Sequence, residues 1–160
     1  MLRTLDLPRN TIVDITSLES MQQIFRYSPF ANNEPISAML LGYASFKFTE
    51  NALKNIENGD MLSKKQNSLV CVGFAKTHMV FVFIKEISNQ QFMTEKVLFV
   101  NNKSYSNIVV GENKKCKIIE FHMGLGNNII TNFYKGKDFE YQNNLLNKLY
   151  AMCKRKYFMQ

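Results

Sequence analysis

The 160-residue chain contains no tryptophan, three prolines, three cysteines, and four arginines against sixteen lysines. Each scarcity excludes something. Cys71, Cys116 and Cys153 are odd in number and far apart, so they do not make the disulfide framework of a small secreted domain. They read as reduced thiols packed as small apolar residues. Few prolines and seven glycines exclude collagen-like and proline-rich chains. No apolar run approaches the roughly 20 residues of a membrane-spanning helix. The longest, 79–84, is strand-sized. The first eight residues, Met-Leu-Arg-Thr-Leu-Asp-Leu-Pro, lack the apolar core of a signal peptide, and the expectation is a soluble, intracellular, cytoplasmic protein. Scarce arginine disfavours bidentate reading of guanine in a duplex groove.

What is present is a globular composition, 46% hydrophobic and 21% charged. That is enough for one domain over 1–160 with a core of its own. Segment 1–63 is mixed. A short strand is expected over 11–15, then a helix over about 18–27 with Thr16 and Glu19 as a capping box. A long strand follows over 36–48, with Ile36, Ala38, Leu40, Gly42, Ala44, Phe46 and Phe48 on one parity and Met39, Leu41 and Tyr43 on the other. A short helix over 50–57 begins at Thr49 and is expected to close at Asn58-Gly59.

Segment 64–160 is β-rich. Three consecutive hairpins are expected: 69–75 with 79–87, 96–100 with 105–110, and 115–123 with 129–135. The run Met79 to Ile84 is apolar on both parities, so it should lie centrally, covered on both faces, or meet another subunit. On the strand after Lys115, Lys117, Ile119, Phe121 and Met123 share one face, while Cys116, Ile118, Glu120 and His122 share the other. A final helix starts near Asp138, with Leu145, Leu146, Leu149, Met152 and Cys153 inward and Lys154-Arg155-Lys156 at the negative end of the helix dipole. The expected fold is α+β: an antiparallel meander of about six or seven strands, a C-terminal helix packed on it and a short N-terminal helix. This order over about 68–156 resembles the half-unit of Whirly-type single-strand-binding folds in element order, without a shared motif. The resemblance implies a strongly curved sheet.

The charge is unevenly placed. Residues 1–63 hold five Lys/Arg against seven Asp/Glu, and 64–160 hold fifteen against six, so the net +7 belongs entirely to the β-rich part. Lys114, Lys115, Lys117, Lys135, Lys137, Lys154, Arg155 and Lys156 fall at turns, strand ends and the helix end, where they are expected to contact phosphates. Tyr105 and Tyr134 are the expected stacking residues. The leading expectation is non-enzymatic binding of single-stranded nucleic acid, RNA favoured over DNA, with low sequence specificity. Abundant Lys, Asn, Ile, Phe and Tyr all come from AT-rich codons, which suits a virus, a phage or a low-GC bacterium.

Two alternatives stand beside it. One is a structural or interaction protein, such as a virion component, forming a homo-oligomer through the apolar sheet. The other is a nuclease-like hydrolase using Glu120 and His122 as an acid/base pair. Glu112-Asn113-Lys114 matches part of a nuclease Glu-x-Lys element but lacks a preceding Asp. Cys71, His78, Cys116 and His122 have no finger or ribbon spacing, so no metal is expected. Gly124-Leu125-Gly126-Asn127-Asn128 sits between two strands and is a hairpin turn, not a phosphate loop. No cofactor and no membrane partner are expected.

Overall fold

A computed structural model describes residues 3–6, 12–26, 36, 38–56, 62 and 67–154. Its sheet is antiparallel throughout: β1 (Arg3–Asp6), β2 (Ile12–Val13), β3 (Ala38–Lys47), β4 (Ser68–Phe74), β5 (His78–Ser88), β6 (Gln91–Asn101), β7 (Asn107–Glu112), β8 (Cys116–His122) and β9 (Asn128–Tyr134). Eight strands lie side by side in the order β1-β6-β5-β4-β3-β9-β8-β7, and β2 also pairs with β6. Helices α1 (Leu18–Arg26), α2 (Glu50–Lys54) and α3 (Glu140–Lys154) complete the α+β fold.

Hairpins β4–β5 and β8–β9 form as the sequence predicts, the first through the short 75–77 link and the second through the glycine-rich 124–127 turn. The middle hairpin does not form. β6 pairs with β5 over nearly its whole length, while β7 pairs only with β8 at the far edge of the sheet. Residues 102–106 are therefore a crossover, and the strands form two meanders, β3 to β6 and β7 to β9. The two are joined where β9 pairs with β3.

β5 is covered on both faces by its own chain. Met79, Phe81 and Phe83 join one core and Val80, Val82 and Ile84 the other, all buried. Of the two expectations for this run, central placement is the one met, and the run itself keeps no open face for a second subunit. The larger core lies under α3, where Leu146, Leu149 and Cys153 meet Leu40, Phe46, Phe81, Ile119, Phe121 and Phe133. Met152, expected inward, is largely exposed. Rings two strands apart touch on this face: Phe46 and Phe81 at 5.8 Å between centroids, Phe74 and Phe133 at 6.4 Å. Adjacent strands are about 4.8 Å apart, so such contacts place this face on the inside of the sheet's curvature. The smaller core packs Met21, Ile24 and Phe25 of α1 on the other face of β3 to β6.

Local capping differs in detail. Asp14 accepts from the Thr16 N–H at 3.0 Å and the Thr16 hydroxyl at 2.7 Å, which keeps Thr16 out of the helix. Ser17 takes the capping place, accepting from the Ser20 N–H at 3.3 Å. Thr49 caps α2 as expected, accepting from the Ala52 N–H at 3.2 Å. Asp138 does not cap α3. A single 3-10 turn (Lys137–Phe139) leads into it from Gly136, whose φ of 111° needs glycine. The Asn58-Gly59 stop lies outside the described residues, as do Arg155 and Lys156.

β3 is longer than β9, and its residues 38–41 have no strand on that side. Gln142, 1% exposed, fills the gap. Its Oε1 accepts from the Leu41 N–H at 2.9 Å, and its Nε2 donates to the Leu41 carbonyl at 3.0 Å and the Tyr134 carbonyl at 2.7 Å. Replacing it by leucine leaves two buried backbone groups, the Leu41 N–H and carbonyl, and the part-buried Tyr134 carbonyl unpaired. Gln142→Leu is expected to cost about 2–6 kcal/mol, since each of the two buried groups orphaned costs ~1–3, read as a lower urea midpoint. Gly42 tests the same junction: a Cβ there would collide with the Asn132 carbonyl and lie 2.8 Å from the Phe133 Cα. Gly42→Ala is expected to destabilise by about 1–3 kcal/mol or more. Gly111→Ala, where a Cβ meets nothing within 4 Å, should stay within about 0.5 kcal/mol.

Candidate functional site

The outer face of β7 to β9 carries no helix among the described residues. Register places Tyr43, Asn132 and Ile118 in one row across β3, β9 and β8, with Tyr134 and Cys116 in the next row. Near the β7–β8 turn this face opens into a groove of about 610 Å³ lined by Tyr43, Asn67, Asn113, Lys114, Lys115, Cys116, Asn132 and Tyr134. The turn that presents the lysines is held by Asn113, whose Oδ1 accepts from the Lys115 N–H at 2.9 Å and the Cys116 N–H at 2.8 Å. The Lys135 N–H bonds the Lys115 carbonyl at 3.0 Å, tying the turn to the end of β9.

The expected site residues are thus dispersed. Lys114 and Lys115 are exposed on the groove and make no ion pair among the described residues. Lys117 points to the opposite, helix-covered face, with its Nζ 4.1 Å from the Tyr150 ring centroid. Lys135 Nζ lies 2.9 Å and Lys117 Nζ 3.7 Å from the same Glu112 oxygen. Lys137 is exposed at the start of the 3-10 turn. Lys154 is exposed at the far end of α3, about 21 Å along the helix from its start. The chain therefore brings Lys114 and Lys115 together on the groove, ties Lys135 with Lys117 to Glu112, and leaves Lys154 apart.

The aromatic expectations change more. Tyr105 is 4% exposed, packs on Phe121 at 5.4 Å and donates to Asn102 Oδ1 at 3.1 Å. It is a core residue and has no face for a base, because the 102–106 crossover turns it inward. Tyr134 is half-buried, stacked on Phe139 at 4.5 Å and set against Tyr43 at 5.2 Å. Burial first, and then the Tyr43 hydroxyl, push its phenol well above the ordinary range. Tyr43, 41% exposed, is the groove ring that remains accessible. Its signal in the sequence was its place as the one tyrosine of its strand, on the parity opposite Phe46. Asn67 and Asn132 gave no such signal.

The thiols are buried and unpaired. Burial pushes Cys153 up to about 12 and raises Cys116 against the opposing pull of Lys135 and Lys115. Glu120 and His122 share the open face at 3.7 Å, but His122 Nε2 is buried and has no hydrogen-bond partner. It is the nitrogen that faces Glu120 Oε1. Among the described residues no cluster of His, Cys, Asp or Glu has the makings of a metal site, and no helix is long and apolar enough to cross a membrane.

No family model, no curated protein and no solved structure matches this chain.

Glu112 supplies a test of the charge arrangement. The hydrogen bond from Lys135, then the charges of Lys117 and Lys135, hold its carboxyl below the ordinary 4.5. A depressed folded value means the interaction is present above 4.5 and is lost as pH falls through the folded value. Carboxyl NMR titration should find Glu112 below 4.5, and Lys135→Ala should move it up toward that value.

Proposed function

We propose that the chain binds single-stranded nucleic acid, RNA in preference to DNA, with low sequence specificity and without catalysis, through the groove between Tyr43 and the Lys114–Lys115 turn. The supporting observation is one accessible ring beside two exposed lysines that make no ion pair among the described residues. An aromatic face stacks any base, and lysines neutralise the neighbouring phosphates. The asparagine amides at the groove suit a ribose 2′-hydroxyl, which favours RNA. The phosphate-contacting set is centred on Lys114 and Lys115, with Lys135 and Lys137 flanking and Lys154 remote.

Fluorescence anisotropy with a labelled mixed-sequence RNA, titrated against salt, tests this. Each phosphate contact on a single strand contributes about 0.7 to the log–log salt slope. Changing Lys114 and Lys115 together to alanine should therefore weaken binding and flatten the slope by about 1.4. Tyr43→Ala should cost about 1–3 kcal/mol of binding, whereas Tyr105→Phe should leave binding unchanged. Absence of affinity at low salt, or a slope indifferent to the lysines, overturns the reading.

A second reading, an interaction protein, keeps one observation in its favour. Leu125 is 94% exposed at the tip of the β8–β9 turn, with a φ of 55°. That turn is braced by Asn127, which donates to the Gly124 carbonyl at 3.1 Å and accepts from the Thr49 N–H at 2.9 Å. Self-association in sedimentation that Leu125→Ser abolishes would favour this reading.

A further inference from the structure

We infer that the groove selects a base edge rich in carbonyl oxygens, uracil over cytosine, at the nucleotide seated beside Tyr43. This rests on the reading of the groove as a single-strand site and adds a chemical preference to it.

The argument starts from two amides whose orientation is fixed from behind. Asn113 Oδ1 accepts two backbone N–H groups, from Lys115 and Cys116. Only a carbonyl oxygen can do that, so the Nδ2 hydrogens of Asn113 are left for the groove. Asn67 is held by a reciprocal pair with Ser45. The Asn67 N–H donates to Ser45 Oγ at 3.2 Å, and Ser45 Oγ donates to Asn67 Oδ1 at 2.8 Å. Its carbonyl oxygen is thus occupied, and its Nδ2 is likewise left as a donor. Asn67 has a φ of 52°, a left-handed conformation that asparagine tolerates.

Both residues line the groove, together with Lys114 and Lys115. The wall is therefore rich in donors. Among the described residues, its free side-chain oxygen acceptors are the Asn132 amide and the two tyrosine hydroxyls. Uracil brings two carbonyl oxygens and a single N–H. Cytosine carries an exocyclic amine in place of one of those oxygens, and its second acceptor, the bare ring nitrogen, lies directly beside the remaining oxygen, where two separate amides cannot both reach. Against this wall the amine sets donor against donor and strands a hydrogen bond on each side.

The test compares labelled oligo-U and oligo-C, each about 15 nucleotides long to span one single-strand site, at one low salt concentration. The two share backbone, length and pyrimidine stacking, so their affinity ratio isolates the base edge. The wild-type chain should bind oligo-U about tenfold more tightly, the worth of one good hydrogen bond. Asn113→Asp and Asn67→Asp each keep the oxygen that braces the turn and replace the outward donor by an acceptor. Their added charge weakens both oligonucleotides alike and cancels in the ratio, which should fall toward one or reverse. Tight but equal binding of both oligonucleotides overturns this inference and leaves the single-strand reading intact. A preference unchanged in both variants also overturns it. Binding of neither oligonucleotide overturns the single-strand reading and this inference with it.

Discussion

The buried edge of β3 is the constraint on which the two halves of the fold depend. Residues 38–41 pair with β4 on one side and with no strand on the other. A buried backbone N–H and carbonyl cannot be left unpaired. The Gln142 side-chain amide, with one donor group and one acceptor, occupies the place of the missing strand. It thereby fixes where α3 begins. Neighbouring helix residues point about 100° apart, so Tyr141 reaches the Ile15 carbonyl at 2.8 Å while Leu146 enters the larger core. The first turns of this helix join the N-terminal segment, the β3–β9 junction and the inner face.

That junction also makes the groove. β9 ends at Tyr134 because the chain must turn through Gly136 into α3, and Phe139 then stacks on Tyr134. Tyr134 is thus consumed as a wall, and Tyr43 on the adjoining strand is left accessible. Asn113 shapes the neighbouring turn and holds Lys114 and Lys115 at the groove. The same turn keeps Glu112 close to Lys135 and Lys117, whose charges it offsets. The basic surface is accordingly narrower than the lysine count implies.

Much of the fold was legible in the sequence because its signals are local. Alternation over 38–47 and 116–122 assigned each side chain to its face correctly: Leu40, Phe46, Ile119 and Phe121 are core. The two-sided apolar run 79–84 correctly announced a central strand. Its covering comes from α1 and from the rest of the chain. The expected hairpin of 96–100 with 105–110 failed because pattern and turn residues do not say which strand a partner is. β6 found a longer partner in β5, and the short turn at 102–104 became a crossover.

The sequence by itself determined the strand-rich character of 64–160, the faces of most strands, the closing helix and the location of the positive charge. Periodicity and capping act over a few residues, and charge is additive. Tertiary structure decided which lysines meet, which tyrosine stays exposed and which way the asparagine amides face. Those outcomes depend on the β3–β9 pairing and on Gln142, contacts between residues far apart in the chain. No local pattern encodes them, since each is settled only when buried backbone groups find their partners.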